Sequence, residues 1–140
     1  MIRAYIDGGA RGNPGPAGYG ARIEAEDGTL IEELYGPLGI ATNNVAEYNG
    51  LLAALQWAVD HGEQDVHIRA DSELLVKQMC GEYKVKNPAL QALAARARLL
   101  VMQLSTVRFE HVRREMNKEA DRLSNIAMDL AEGKRSAALP

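Results

Sequence analysis

The feature that most constrains this chain is a change in the period of its apolar residues near Asn44. Before that point the pattern alternates. Ile2, Ala4 and Ile6 share one phase and Arg3, Tyr5 and Asp7 the other, as in a half-buried strand. After it, Val45, Tyr48, Leu52, Leu55 and Val59 recur at steps of three and four, marking one face of a helix that stops near Gly62. A chain that lays down strands first and then alternates helices with strands resolves into few architectures. The expected class is α/β, a mixed sheet covered by helices.

The first strand is expected to end at Asp7, because Gly8-Gly9-Ala10-Arg11-Gly12-Asn13-Pro14-Gly15-Pro16 concentrates residues that permit positive φ or lack an amide donor. Residues 19–26 and 29–38 read as strands joined by a tight turn at Asp27-Gly28. Residues 66–71 read as a strand, 72–80 as a short helix, and 88–104 as a longer helix with Pro88 acceptable at its start. Residues 106–112 form a further strand. Ala120, Leu123, Ala127 and Leu130 carry helical spacing across 117–131, ahead of Gly133. Residues 1–131 are expected as one domain and 132–140 as a mobile C-terminal tail.

With 140 residues, 46% of them hydrophobic, one core is expected to bury roughly two-thirds of the unfolded surface without disulfides or a structural metal. Cys80 is the single cysteine, and its apolar neighbours Val76 and Met79 point to a buried thiol in a reducing compartment. No stretch reaches the roughly 18–20 apolar residues of a membrane span, and no leader-like segment precedes the first strand. A cytoplasmic protein with no membrane association is expected. A net charge of −3 excludes holding nucleic acid by bulk positive charge, so any such role must rest on a local patch or on bound cations.

Four carboxylates are candidates for chemistry, and each has an alternative reading. Asp7 and Asp71 each close an aliphatic strand, which puts them side by side at a ligand-binding sheet edge if those strands are parallel neighbours. Alternatively, Asp7 forms a turn before Gly8-Gly9, and Asp71 caps the helix that follows it. Glu47 stands at the N3 position of a capping box that starts at Asn44, yet it also flanks the apolar stripe rather than entering it. Asp121 lies off its helix's apolar stripe, where Lys118 offers an ordinary surface ion pair.

In order and spacing, four segments resemble the type 1 ribonuclease H family. They are Asp7 followed by Gly8-Gly9-Ala10-Arg11-Gly12-Asn13-Pro14-Gly15-Pro16-Ala17-Gly18-Tyr19-Gly20, then Thr42-Asn43-Asn44-Val45-Ala46-Glu47, Ala70-Asp71-Ser72, and Asn117-Lys118-Glu119-Ala120-Asp121. The resemblance covers residues 1–131. It implies a ribonuclease H-like five-stranded sheet in the order 3-2-1-4-5, with strand 2 antiparallel and helices on the faces. It also implies an endoribonuclease acting on the RNA strand of RNA/DNA hybrids by a two-metal mechanism that leaves 5′-phosphate and 3′-hydroxyl ends. Asp7, Glu47, Asp71 and Asp121 would be both catalytic and metal-ligating. Mg²⁺ is the implied ion, with Mn²⁺ able to substitute, in keeping with the all-oxygen donor set and the absence of metal-ligand spacing among His61, His67 and His111. Gly9, Gly12, Asn13, Thr42, Asn43, Asn44 and Glu73 would contact substrate, Thr42 at a DNA phosphate. A monomer with no obligate protein partner is expected.

The sequence departs from the family pattern in four places, one of them Ala46, which stands where a phosphate-binding arginine often occurs. Gly81 to Pro88 connects directly where many members insert a basic protrusion, leaving Lys84 and Lys86 as partial substitutes. The loop before the last carboxylate reads Arg113-Arg114-Glu115-Met116 where many members carry a mobile histidine, so Glu115 is the candidate replacement, against an ordinary solvated charge. His111 is expected in the core or on a sheet face. Glu73 stands where an RNA-contacting glutamine is common. Arg113, Arg114, Lys118 and Arg122 gather near Asp121 as a source of local positive field. A related two-metal nuclease acting on RNA duplexes is the nearest alternative, and a non-catalytic hybrid-binding module a more distant one.

Overall fold

The structure is a computed structural model and describes residues 1–133. The elements run β1 (Ile2–Ala10), β2 (Gly15–Ala25), β3 (Leu30–Ala41), α1 (Asn43–Asp60), β4 (Asp65–Ala70), α2 (Glu73–Met79), α3 (Pro88–Val101), β5 (Thr106–His111), a 3₁₀ turn at Arg114–Met116, and α4 (Lys118–Ala131). The five strands form one sheet in the order β3-β2-β1-β4-β5. β2 is antiparallel to both β1 and β3, whereas β1, β4 and β5 run parallel. This is the order and direction the sequence implied. None of the described helices is long and apolar enough to cross a membrane. The segment 134–140, expected as a tail, lies outside the described residues. Glu132, placed in that tail by its sequence, instead closes α4 and pairs with Arg11.

The period-two residues Ile2, Ala4 and Ile6 of β1 and Val66 and Ile68 of β4 face α1 and α3, where they meet Leu51, Leu55, Ala94 and Ala97. Each fully buried Leu or Ile side chain stabilises this layer by roughly 1.5–3 kcal/mol. α4 covers the other face, and Gly18 and Gly20 of β2 explain how closely it sits. A Cβ on Gly18 would lie 2.4 Å from that of Ala127, and one on Gly20 would lie 2.5 Å from that of Leu123. The helix therefore touches the strand with no side-chain layer between them.

Two expectations change here. The glycine-rich run does not end the first strand at Asp7: pairing continues through Gly8↔Tyr19, Gly9↔Gly18 and Ala10↔Ala17. Gly8 is present for closeness rather than for a turn, since its Cβ would sit 2.3 Å from the Ala46 carbonyl carbon. Only Gly12 in that run adopts positive φ, at 77°. Cys80 is exposed rather than buried, because α2 stops at Met79 and presents only Leu75, Val76 and Gln78 inward.

Candidate active site

The β1–β4 pairing ends at Ile6↔Ala70. Asp7, the next residue of β1, and Asp71, the first residue past β4, therefore emerge side by side where the chains part. The carboxyl ends of parallel strands leave a crevice of this kind, the usual ligand site of open α/β sheets. Here it is a cleft of about 420 Å³ whose walls include Asp7, Glu47, Asp71, Asp121, Arg11, Asn43, Arg114 and Ser124.

Glu47 arrives from α1. Its capping alternative falls, because the helix N-cap is Thr42, whose hydroxyl accepts from the Val45 amide at 3.2 Å. That cap puts Glu47 past the first turn, with one carboxylate oxygen, Oε2, buried and without a hydrogen-bond partner. The Asp71 alternative falls in the same way: Ser72 caps α2, its hydroxyl accepting from the Leu75 amide at 3.2 Å. Asp121 comes from the first turns of α4. Lys118 makes no ion pair with it, and Asn125 donates to it at 3.4 Å.

The shared electrostatics follow from crowding acids in a half-enclosed place. Burial, then the charges of Asp71 and Asp121, push the Asp7 carboxyl up to about 8, against a 2.9 Å hydrogen bond from the Gly8 amide. Burial also raises Glu47, opposed by a hydrogen bond from Ser72. Burial raises Asp71 as well, opposed first by the nearby Arg114 guanidinium and then by Asn117. Among the described residues, no three acidic, histidine or cysteine side chains already enclose a point where an ion would sit. The donor set nevertheless suits hard cations: it is all oxygen, negatively charged, and includes an orphaned buried carboxylate oxygen.

The asparagines tie the rim together. Asn13 Oδ1 accepts from the Asn43 amide at 3.0 Å, and Asn43 Oδ1 accepts from the Ala10 amide at 2.7 Å. These bonds pin the turn after β1 to the start of α1. Gly9 and Asn43 line the cleft, while Gly12 and Asn13 are exposed on the turn beside it. Asn44 is half-buried in the first turn of α1. Glu73 lies on the α2 surface, paired with Lys77 at 2.8 Å.

The loop before α4 is a 3₁₀ turn whose members face different ways. Arg114 lines the carboxylate cleft, whereas Glu115 lines a separate hollow with Tyr5, Arg22 and Glu24. Of the four basic residues grouped near Asp121, Arg122 pairs with Glu33 and Glu119. His111 is exposed at the end of β5 rather than in the core, and no histidine lines the cleft. Reading the sequence for ionisable groups passes over three supporting residues: Ser72, which caps α2 next to Asp71; Ser124, whose hydroxyl donates to the Asp121 carbonyl at 2.8 Å and lies 3.5 Å from Asp7 Oδ2; and Asn117, whose Nδ2 donates to the Ile6 carbonyl at 2.8 Å. Ser72 and Asn117 stand inside the quoted motifs, so the signal was present.

Comparison with known proteins agrees with this geometry. A family model described as reverse transcriptase-like matches residues 5–127. The bifunctional protein Rv2228c of Mycobacterium tuberculosis is 49% identical over 126 residues, 89% of this chain and 35% of that protein. The structure of its N-terminal RNase H domain has a TM-score of 0.91 at 47% identity, covering 94% of this chain and 96% of that one. Ribonuclease HI of Halobacterium salinarum is 42% identical over 91% of this chain and 64% of its own length; its crystal structure has a TM-score of 0.88, covering 91% of this chain and 97% of that one. LC11-RNase H1, solved in complex with an RNA/DNA hybrid, has a TM-score of 0.89 at 44% identity, covering 94% of this chain and 99% of that one. The chain thus spans about a third of the mycobacterial protein and just under two-thirds of the archaeal one. Taken with the sheet order and the four converging carboxylates, these likenesses show that the chain belongs to the type 1 ribonuclease H family.

Proposed function

We propose that this chain is a metal-dependent endoribonuclease that hydrolyses the RNA strand of RNA/DNA hybrids, leaving 5′-phosphate and 3′-hydroxyl ends. The observation that carries this reading is the cleft where the carboxylates Asp7, Glu47, Asp71 and Asp121 converge from β1, α1, the end of β4 and α4. These side chains would hold two Mg²⁺ ions, with Mn²⁺ as a substitute. When bound, such a pair activates a water for attack at phosphorus and stabilises the departing oxygen. Magnesium takes few protein ligands and completes its shell with water and substrate phosphate oxygens, which suits carboxylates that gather without forming a closed cage.

The chain's own residues supply the placement. Ser72 caps α2 directly after Asp71, Ser124 holds the first turns of α4 beside Asp7, and Arg114 offers positive charge to a phosphate entering from the loop side. The geometry favours Arg114 over Glu115 as the member of that loop that meets substrate. For recognition, Asn13 and Asn43 spend their carboxamide oxygens internally, which leaves amide donors for 2′-hydroxyls in a shallow minor groove. Asn44, Gly9, Gly12, Glu73 and Thr42 complete the proposed contact surface, Thr42 at a DNA phosphate. The relative LC11-RNase H1, solved with an RNA/DNA hybrid, supports the hybrid over an RNA duplex as substrate. We place the protein in the cytoplasm as a monomer.

Cleavage of labelled hybrid, double-stranded RNA and double-stranded DNA, with Mg²⁺ and after chelation, tests the reading. Mg²⁺-dependent cutting confined to the RNA of the hybrid is expected, with Asp71→Asn inactive yet folded. Cutting that survives chelation, or an intact hybrid beside a cut RNA duplex, overturns it.

A further inference from the structure

Arg11 stands just past β1, on the turn that borders the cleft, and its side chain crosses to α4. At Asn125 its Nη2 donates to Oδ1 at 3.2 Å and to the backbone carbonyl at 3.4 Å. Its Nη1 pairs with Asp129 and, at 3.2 Å, with Glu132. Steps of four and then three keep these residues on one side of the helix. Asn125 in turn extends its Nδ2 toward Asp121, 2.9 Å from the carbonyl and 3.4 Å from carboxylate Oδ1. A continuous line of hydrogen bonds therefore runs from the turn after β1 to the fourth carboxylate of the cleft.

The chemistry of the end groups fixes the direction of this line. A guanidinium only donates, and an ionised carboxylate only accepts. Asn125 lies between them and satisfies both in one orientation alone, oxygen toward Arg11 and nitrogen toward Asp121. Turned over, its amide would set donor against donor and acceptor against acceptor. The planar fork of arginine matters here, because one nitrogen meets Asp129 and Glu132 while the other meets Asn125. A lysine ammonium has no such spread. The charge of Arg11 is answered within the protein by two carboxylates, which leaves it poorly suited to holding a phosphate.

We propose that Arg11 is a positioning residue for Asp121, acting through Asn125, whose carboxamide it orients toward the Asp121 carboxylate. This rests on the metal-dependent hydrolysis proposed above, and it deepens that reading by naming the pair that aims one of its metal ligands. Hydrogen-bond partners of metal ligands typically change metal affinity or activity by about 10- to 100-fold when removed. The 3.4 Å reach from Asn125 to Oδ1 is long for a hydrogen bond, so the expected effect is at the lower end, about tenfold.

The test compares wild type with Asn125→Ala, Arg11→Ala and the double variant Arg11→Ala/Asn125→Ala. Mg²⁺ affinity of the free protein is read by NMR titration, with kcat and KM on hybrid measured alongside. Each single variant should bind Mg²⁺ about tenfold more weakly and show a lowered kcat with KM little changed. The double variant should be no worse than Asn125→Ala, because both residues act through one contact. Wild-type Mg²⁺ affinity in either folded single variant, a raised KM with kcat intact, or losses that multiply in the double variant overturn the proposal. If Arg11→Ala melts below the assay temperature, Arg11→Lys takes its place, since it keeps a cation for Asp129 and Glu132 but loses the fork; the same outcomes decide. A metal-free crystal structure of the folded Arg11 variant asks the question without activity: Asn125 turned away from Asp121 supports the proposal, and an unmoved Asn125 overturns it. Wild type that leaves hybrid intact in Mg²⁺ counts against the proposed hydrolysis alone.

Discussion

A Cβ built on Gly8 would lie 2.5 Å from the backbone nitrogen of Glu47. The strand that carries Asp7 and the helix that carries Glu47 thus approach as nearly as two backbones can, and glycine permits it. Gly8→Ala must push α1 outward, against backbone atoms that cannot yield. We expect a loss of about 1–3 kcal/mol in stability, the usual range for overpacking. We also expect a fall in kcat of about a hundredfold, since an ångström of misplacement can cost that much. Chemical denaturation and single-turnover kinetics check the two separately, and an Ala variant with full turnover would refute the close-approach account.

Without metal, stability should fall as pH rises through the range where Asp7 titrates. The folded carboxyl is raised to about 8 from an ordinary 3.8. Between those values the folded chain binds the extra proton, and stability declines with increasing pH. Below the lower value both states are protonated, and above the upper value the full penalty is present. Melting in chelator from pH 5 to pH 8 should show this slope. Asp7→Asn should flatten it, and Mg²⁺, proposed to bind the deprotonated site, should stabilise more at pH 8 than at pH 5.

Arg114 and Glu115 are neighbours on one 3₁₀ turn but line different hollows. Arg114→Ala should lower kcat/KM by about tenfold, the scale of losing one charge-assisted phosphate contact. Glu115→Ala should leave turnover within a factor of about two, as surface changes away from a site usually do. Steady-state kinetics on a hybrid substrate would reverse this assignment if the Glu115 variant were the impaired one.

Thr42 closes the first turn of α1 through its hydroxyl. Thr42→Ala should cost about 1 kcal/mol, a typical N-cap loss, read as a lowered denaturation midpoint. Thr42→Ser should recover most of that stability, since it keeps the accepting oxygen. A midpoint unchanged in Thr42→Ala would move the cap elsewhere.

The sheet order was legible because the apolar period switches once and then alternates, which leaves few ways to wind the chain. Asp7 and Asp71 were legible as neighbours because each follows an aliphatic run of matching length, and the parallel register Ile6↔Ala70 bears that out. The role of Gly8 was not. Glycine is chosen either for positive φ or for its missing Cβ, and both choices look identical in sequence. The cap of α1 was misplaced by two residues because Thr42, Asn43 and Asn44 are all competent caps and only backbone geometry separates them. Cys80 sits where a longer helix would have buried it, but α2 stops at Met79. Asn117 carries no charge and follows no period, so its motif position alone did not show that it is buried and donates to the Ile6 carbonyl.

The bare contact between α4 and β2 at Gly18 and Gly20 also bears on when the site comes into being. Asp121 is delivered by the last described helix, more than a hundred positions after Asp7, so the fourth carboxylate arrives only when the most distant parts of the chain have met. Backbone seated directly on backbone has no soft layer in which to slide, so this closure is expected to be abrupt rather than gradual. Amide exchange along α4 should then report the fraction of molecules in which the proposed metal site is assembled, and a brief undocking of that one helix would withdraw Asp121 from it while the remaining sheet stayed folded.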